Sequence, residues 1–209
     1  MLKEVSTFRG PKAKICRRLG MNLFGSPKYE KILTKKGYPP GVHGRSKFTK
    51  KSEFGRQLEA KQKAKFMYNI NERQFERYYE KAAKTHGVTG EELLRSLERR
   101  LDNVIFRAGF AVTRFQSKQI VSHGLIKLNG RRVNIPSIAV KAGDSIEVRE
   151  KSKASRLFAG NLEVNQKYAA PGWLVVDPKK LTVTIKRLPE KDELEQALES
   201  QLIVEYYSK

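Results

Sequence analysis

The stretch from Leu97 to Glu150 constrains this chain more than any other. It reads helix, turn, helix, hairpin, with Lys and Arg at the corners. Leu94, Leu97, Leu101, Val104 and Ile105 recur at helical spacing, which predicts one amphipathic helix. Thr89 with Glu92 three residues on is a capping-box pattern that opens it. Gly109 is the expected stop, because glycine takes the left-handed conformation after a helix end without a Cβ penalty. Thr113 with Gln116 repeats the capping pattern and opens a shorter helix. Ile120 and Val121 lie on one side of it, Arg114 and Lys118 on another, and His123-Gly124 ends it. Asn129-Gly130 separates Leu125–Leu128 from Arg131–Ile135, the sequence signature of a tight hairpin. A two-residue turn sets the register: Leu128 faces Arg131, Lys127 faces Arg132 and Ile126 faces Val133. Ile126, Leu128, Val133 and Ile135 then share the face that packs on the helices. Lys127 and Arg132 stand opposite each other on the other face, where like charges repel. Gly143-Asp144 turns the chain into another strand around Ile146 and Val148.

Charge narrows the partner. The 209 residues carry a formal net charge of +21, far more than solubility requires. A polyanion is implied, nucleic acid ahead of an anionic membrane, since the sequence has no long apolar run and no lipidation signal. Residues 1–55 hold a net +11, residues 56–98 +2, residues 99–187 +12 and residues 188–209 −4. Two blocks therefore carry the polyanion-binding charge, and the acidic tail is better suited to packing on the protein itself.

Met1 to about Lys51 shows scattered basic residues, Gly and Pro without an apolar period. It is expected to be an arm with little structure of its own, ordered by a partner. Ser52 to Phe66 reads as a helix with Phe54 and Leu58 on a thin apolar side and Arg56, Lys61, Lys63 and Lys65 on a basic one. Asn71 with Gln74 caps a helix bearing Phe75, Tyr78, Tyr79, Ala82 and Ala83, ended by Gly87. After Glu150 comes a basic, weakly patterned segment. Trp173–Val176 and Leu181–Lys186 then read as a second hairpin. Pro189 suits the first turn of a last helix with Leu194, Ala197, Leu198 and Leu202 on one side. Cys16 is the one cysteine, so no disulfide forms within the chain, which suits a reducing compartment.

RRLDN, FRAGFA, TR, QIVSHG, LNGRRVNIPS and AGDSIEV, in this order and spacing, resemble the alpha-L RNA-binding motif. The version in the family of bacterial small-subunit ribosomal protein four is the most similar. The resemblance extends to YPPGVHG (Tyr38–Gly44), to Ser52–Tyr79 and to the closing LIVEYYSK. It implies an α+β fold in which a helical domain is closed by the C-terminal helix. An alpha-L RNA-binding domain, a helix pair plus a small antiparallel sheet, is inserted in it, and an extended N-terminal arm precedes it. The expected segments are a basic arm over 1–45, a helical domain over 46–98 completed by 188–209, and the alpha-L domain with its β-hairpins over 99–187.

The resemblance further implies a cytoplasmic structural protein of the small ribosomal subunit that nucleates subunit assembly. Its partners would be small-subunit ribosomal RNA, ribosomal protein five and other small-subunit proteins, and messenger RNA at the entrance of its channel, with no membrane. Many members hold zinc in the arm on four cysteines. Here Ala13 stands where the first of a Cys-x-x-Cys pair would be and Cys16 is alone, so neither zinc nor another cofactor is expected. The candidate RNA contacts in the arm are Arg17, Arg18, His43, Arg45 and Lys47, followed by Arg56 and Lys61 on the next helix. The helix pair offers Arg100, Arg107, Arg114 and Lys118, and the hairpin Lys127, Asn129, Arg131 and Arg132.

Catalysis is not expected. His43, His86 and His123 are scattered without acidic or thiol partners, and Gly41–Lys47 lacks the Walker spacing. Arg100-Leu101-Asp102 resembles the Arg-Leu-Asp of pseudouridine synthases, but it falls inside a leucine stripe. Asp102 is expected on a helix surface, paired with Arg99 or another nearby arginine. An RNA-modifying enzyme built on the same motif would show a second domain with an acid-lined pocket. A stress-response RNA chaperone would lack the arm and the helical part.

Overall fold

The structure is a computed structural model that describes residues 8, 10–46, 50–166 and 168–208. In chain order the first helices are α1 (Lys12–Leu19), α2 (Pro27–Lys35), α3 (Glu53–Met67), α4 (Glu72–Ala83) and α5 (Thr89–Glu98). Then come α6 (Leu101–Arg107), α7 (Arg114–Ser122), β1 (Ile126–Leu128), β2 (Arg131–Val133) and β3 (Ser145–Val148). The chain closes with α8 (Glu150–Lys153), α9 (Arg156–Val164), β4 (Leu174–Asp177), β5 (Thr182–Ile185) and α10 (Ser200–Tyr207). Two compact units result, 1–93 with 197–209, and 94–196.

In the first unit the arm has more structure than its sequence announces. Gly20 (φ 71°) ends α1 and Pro27 opens α2, the positions each residue favours. Cys16, Leu19, Leu23 and Phe24 are buried. The ammonium of Lys12 lies 5.4 Å from the Phe24 ring centre, and Tyr29 meets that ring edge-on at 5.7 Å. These residues come from α1, α2 and the link between them, so no single helical period reveals them.

Ser52 caps α3 by accepting from the Gly55 amide at 3.2 Å, and Asn71 caps α4 by accepting from the Gln74 amide at 2.8 Å. The buried side of α3 is Gln57, Ala60, Lys61, Ala64 and Met67, not the expected Phe54 and Leu58. On this side Gln57 Nε2 donates to Glu205 Oε2 on α10 at 3.1 Å. Phe75, Tyr79 and Tyr207 stack across α4 and α10. Ala83 is exposed, and α4 ends there, ahead of Gly87.

The second unit is built on an antiparallel sheet of order β2-β1-β3-β5-β4. Ile126, Ile146, Val148, Val183, Ile185 and Trp173 join Leu101, Val104, Ile105, Ile120, Val121 and Phe158 in one core. Burying each large side chain contributes about 1.5–3 kcal/mol. Asn129 (φ 49°) and Gly130 (φ 77°) form the expected turn, and the observed register is the one the turn dictates. Ile135, however, is 56% exposed, because β2 stops at Val133 and alternation ends with the strand.

Two helix expectations are corrected. The leucine stripe is two helices, not one. Arg100 is extended (ψ 137°) between α5 and α6. The amides of Leu101 and Asp102 bond the carbonyls of Ile138 and Pro136 at 2.8 and 3.2 Å, and the Val140 amide bonds Arg99 O at 2.9 Å. Segment 136–140 thus takes over the bonds a continuous helix would have made, while the leucine spacing survives the break. The last helix starts only at Ser200. Glu190 and Glu193 cap a single 3₁₀ turn at Lys191–Glu193, and Leu194 beyond it is extended. Leu194 and Leu198 are still buried, so the apolar spacing reflects packing rather than a helix.

Candidate nucleic-acid interface

On the helix pair, a cationic residue, Arg114, bridges α7 to α6. Thr113 Oγ1 caps α7 by accepting from the Gln116 amide at 3.2 Å. Gln116 Oε1 reaches back to the Val112 amide at 2.7 Å, and Gln116 Nε2 donates to Asn161 at 2.9 Å. Arg107 grips the fully buried Glu98 through two bonds of 2.9 and 2.7 Å, and its NH2 also donates to Glu195 at 3.2 Å. Arg114 donates to Glu195 at 2.9 Å and to Asn103 at 2.9 Å, with its guanidinium 4.6 Å from the Phe106 ring centre. Arg100 is 1% exposed and holds Asp102 through bonds of 3.0 and 2.6 Å.

One expectation is corrected here. Asp102 is buried rather than on a helix surface. Arg100, Arg107 and Arg114 are directed onto carboxylates of the protein, since a buried charge without a partner would cost several kcal/mol. Lys61 is likewise paired: it is buried on α3 with its ammonium 2.6 Å from Glu72. Asn129 proves to be a turn brace. Its amide nitrogen donates to Asp144 and its oxygen accepts from the Ser145 amide, both at 2.9 Å.

The hairpin presents a different arrangement. Arg131 and Arg132 are exposed. Arg132 Nε donates to Gly124 O at 3.2 Å, and Arg149 NH1 donates to the same oxygen at 3.2 Å. Two guanidinium groups therefore converge on one carbonyl at the C-terminal end of α7, where the helix dipole favours cations. Gly124 makes room for them: a Cβ there would lie 2.6 Å from Arg132 Nε, and its φ of 64° favours glycine. Lys127 faces Arg132 on one side and Glu147 on the other, and its ammonium sits 3.1 Å from Glu147. Lys118 is half-buried, and burial lowers its pKa while the Asp102 charge opposes this. Arg149 and Glu147 escaped the sequence reading. Their signal was the pairing of β3 beside β1, which no local pattern states.

In the first unit, two arginines fasten the Tyr38–Gly44 loop. Arg17 donates to Tyr38 O at 3.1 Å and to Pro39 O at 3.2 Å. The Arg17 and Arg45 guanidinium groups lie 4.8 and 5.0 Å from the Tyr38 ring centre. The neighbouring Arg45 guanidinium holds the Tyr38 hydroxyl below its ordinary pKa. His43 is exposed at the loop, Arg18 bonds Gln62, and exposed Arg56 pairs with Glu53. Lys47 lies outside the described residues.

Burial pushes the Cys16 thiol up from its ordinary pKa, and the Leu23 and Phe24 amides only partly oppose this. Among the described residues no group of three His, Cys, Asp or Glu could hold a metal ion, and no helix is long and apolar enough to cross a membrane.

A basic α+β sheet-and-helix-pair unit, carried with a helical unit on a chain of net charge +21, defines a polyanion-binding protein. Comparison with known proteins specifies which kind. The ribosomal protein S4/S9 N-terminal domain matches residues 7–98, and the S4 domain matches residues 99–146. The small ribosomal subunit protein uS4 of Borrelia duttonii is 50% identical over 199 residues, covering 95% of this chain and 96% of the relative. Those of Borrelia hermsii and Borreliella burgdorferi are 51% and 48% identical over the same shares. The chain belongs to the small ribosomal subunit protein uS4 family, a family of structural proteins rather than enzymes.

Proposed function

We propose that this chain is a structural component of the small ribosomal subunit in the cytoplasm and binds its ribosomal RNA. The observation that carries the reading is the pair Arg132 and Arg149 fixed on the Gly124 carbonyl, with exposed Arg131 at the adjacent hairpin. Such a set matches the spaced phosphates of a folded RNA and reads its shape rather than its bases. Lys118 on α7 and Lys127 on β1 would add further phosphate contacts. Arg17, Arg18, His43, Arg45, Lys47 and Arg56 provide a second set in the other unit, where the Tyr38–Gly44 loop is held stiff. Binding early in subunit assembly, contact with ribosomal protein five and other small-subunit proteins, and lining the entrance for messenger RNA form the finer part of this reading. They rest on the family resemblance.

Titration with a folded fragment of small-subunit ribosomal RNA and with a scrambled RNA of equal length tests it. The folded fragment should bind more tightly at every salt concentration, with log affinity falling linearly in log salt by about 0.7–0.9 per phosphate neutralised. Equal affinity for both RNAs would reduce the protein to an unselective polycation.

A further inference from the structure

A cleft of about 510 Å³ opens in the second unit between the end of α6, the end of α9 and β4. Ala108, Leu162, Ala170, Val176 and Pro178 form its apolar walls, and Glu163, Asn165, Gln166 and Tyr168 its polar ones. Asn165 is used up as a brace: its Nδ2 donates to Gly109 O at 2.8 Å. Glu163, Gln166 and Tyr168 differ, because none of their side chains has a hydrogen-bond partner among the described residues. Tyr168 is 43% exposed, and its ring passes over Gly109, where a Cβ would come within 3.5 Å of it. The turn that supplies Pro178 also carries Lys179 and Lys180, both exposed.

The contents of this cleft select among ligands. A carboxylate in the wall disfavours a phosphate inside it. An aromatic face with apolar walls favours a flat, polarisable ring. Free acceptors and donors around that ring are what an unstacked nucleobase requires, and two lysines nearby can hold the phosphates that flank it. Among the bases, guanine alone offers two parallel donors, N1–H and the 2-amino group, to one carboxylate. Resting on the RNA-binding reading above, we propose that this cleft is a subsite for an unpaired guanine, stacked on Tyr168 with its donor edge on Glu163. The same chemistry is shared by a guanine within RNA and by a free guanine nucleotide.

The test uses the full chain and fluorescence anisotropy of 5′-labelled UUGUU, with UUIUU and UUAUU as comparators. Inosine lacks the 2-amino group and should bind about tenfold more weakly, the loss of one hydrogen bond to a charged acceptor. Adenine should bind at least as weakly as inosine. Glu163→Gln should erase the preference, while Tyr168→Leu should weaken all three oligonucleotides. Neither side chain is bonded within the described residues, so both variants should melt with the parent protein. Guanosine monophosphate competing at concentrations near the oligonucleotide's would make free nucleotides the ligand class; competition only from oligonucleotides would make it RNA. Equal binding of the three oligonucleotides, or an unchanged preference in Glu163→Gln, overturns the subsite. If the folded ribosomal RNA is still preferred over its scrambled form in the same preparation, only the subsite fails. If that preference is absent as well, the RNA-binding reading fails with it.

Discussion

Substituting Arg132 with Gln removes the guanidinium that lies on Gly124. Like charges at Lys127 and Arg132 argue from sequence that the change would relieve strain. Glu147 reverses that expectation, because it faces Lys127 from the third strand and balances the pair. Arg132→Gln should therefore lower stability by about 0.5–1 kcal/mol through the lost bond to Gly124 O, read by urea unfolding. It should also weaken RNA binding and reduce the salt slope by about one. Unchanged stability would show that the bond contributes nothing. Gly124→Ala should cost about 1–2 kcal/mol for the left-handed backbone alone, and more while Arg132 occupies the space of the new Cβ. The two effects should be non-additive: in the Arg132→Gln background the cost of Gly124→Ala falls to the backbone share. Strict additivity would mean that Arg132 simply swings aside.

At the scale of elements, one carboxylate links α3, α4 and α10 in the first unit. Glu72 receives Lys61 at 2.6 Å, Lys65 at 2.8 Å and the Tyr207 hydroxyl at 3.0 Å. Burial alone would raise its pKa, but the two lysines outweigh burial and hold it at about 2 against an ordinary 4.5. The folded pKa is thus the lower one. Its stabilisation is complete above pH 4.5 and drains away as the pH falls towards 2. Because Glu72 is 44% exposed, solvent screening reduces the effect to about 1–2 kcal/mol. A Glu72→Gln variant should flatten the acid limb of the stability curve, and an unchanged limb would assign acid loss to other groups. Elements also mark what the sequence could tell. Caps at Ser52, Asn71 and Thr113 and the Asn129-Gly130 turn are local chemistry, and they were legible. The break at Arg100 was not, since its cause is the distant 136–140 segment. The arm's helices were hidden because their apolar contacts straddle a turn. Their order is open to measurement: Cys16 should react slowly with a thiol reagent in the native protein and rapidly in urea, and equal rates would mean the arm is open.

For the whole molecule, composition alone named the partner's charge but not the face that meets it. The net charge of +21 counts every arginine alike, whereas the structure divides them. Arg100, Arg107 and Arg114 stand in the most recognisable part of the sequence and are committed to Asp102, Glu98 and Glu195. Exposure and the carboxylates brought close by folding make that division; of the three partners only Asp102, two residues from Arg100, stands beside its arginine in the sequence. The Lys127–Arg132 pairing across the hairpin was legible because a two-residue turn fixes strand register by itself.

The carbonyl of Gly124 bears on the thermodynamics of association. An arginine side chain that swings freely in water must surrender its rotamers when a ligand fixes it, at about 0.5–1.5 kcal/mol each. Arg132 and Arg149 are already anchored on one oxygen, so folding has absorbed that loss before any RNA arrives. Calorimetry should then show a smaller entropic penalty for RNA binding by the parent than by a Gly124→Ala variant, in which Arg132 has been displaced and regained its freedom.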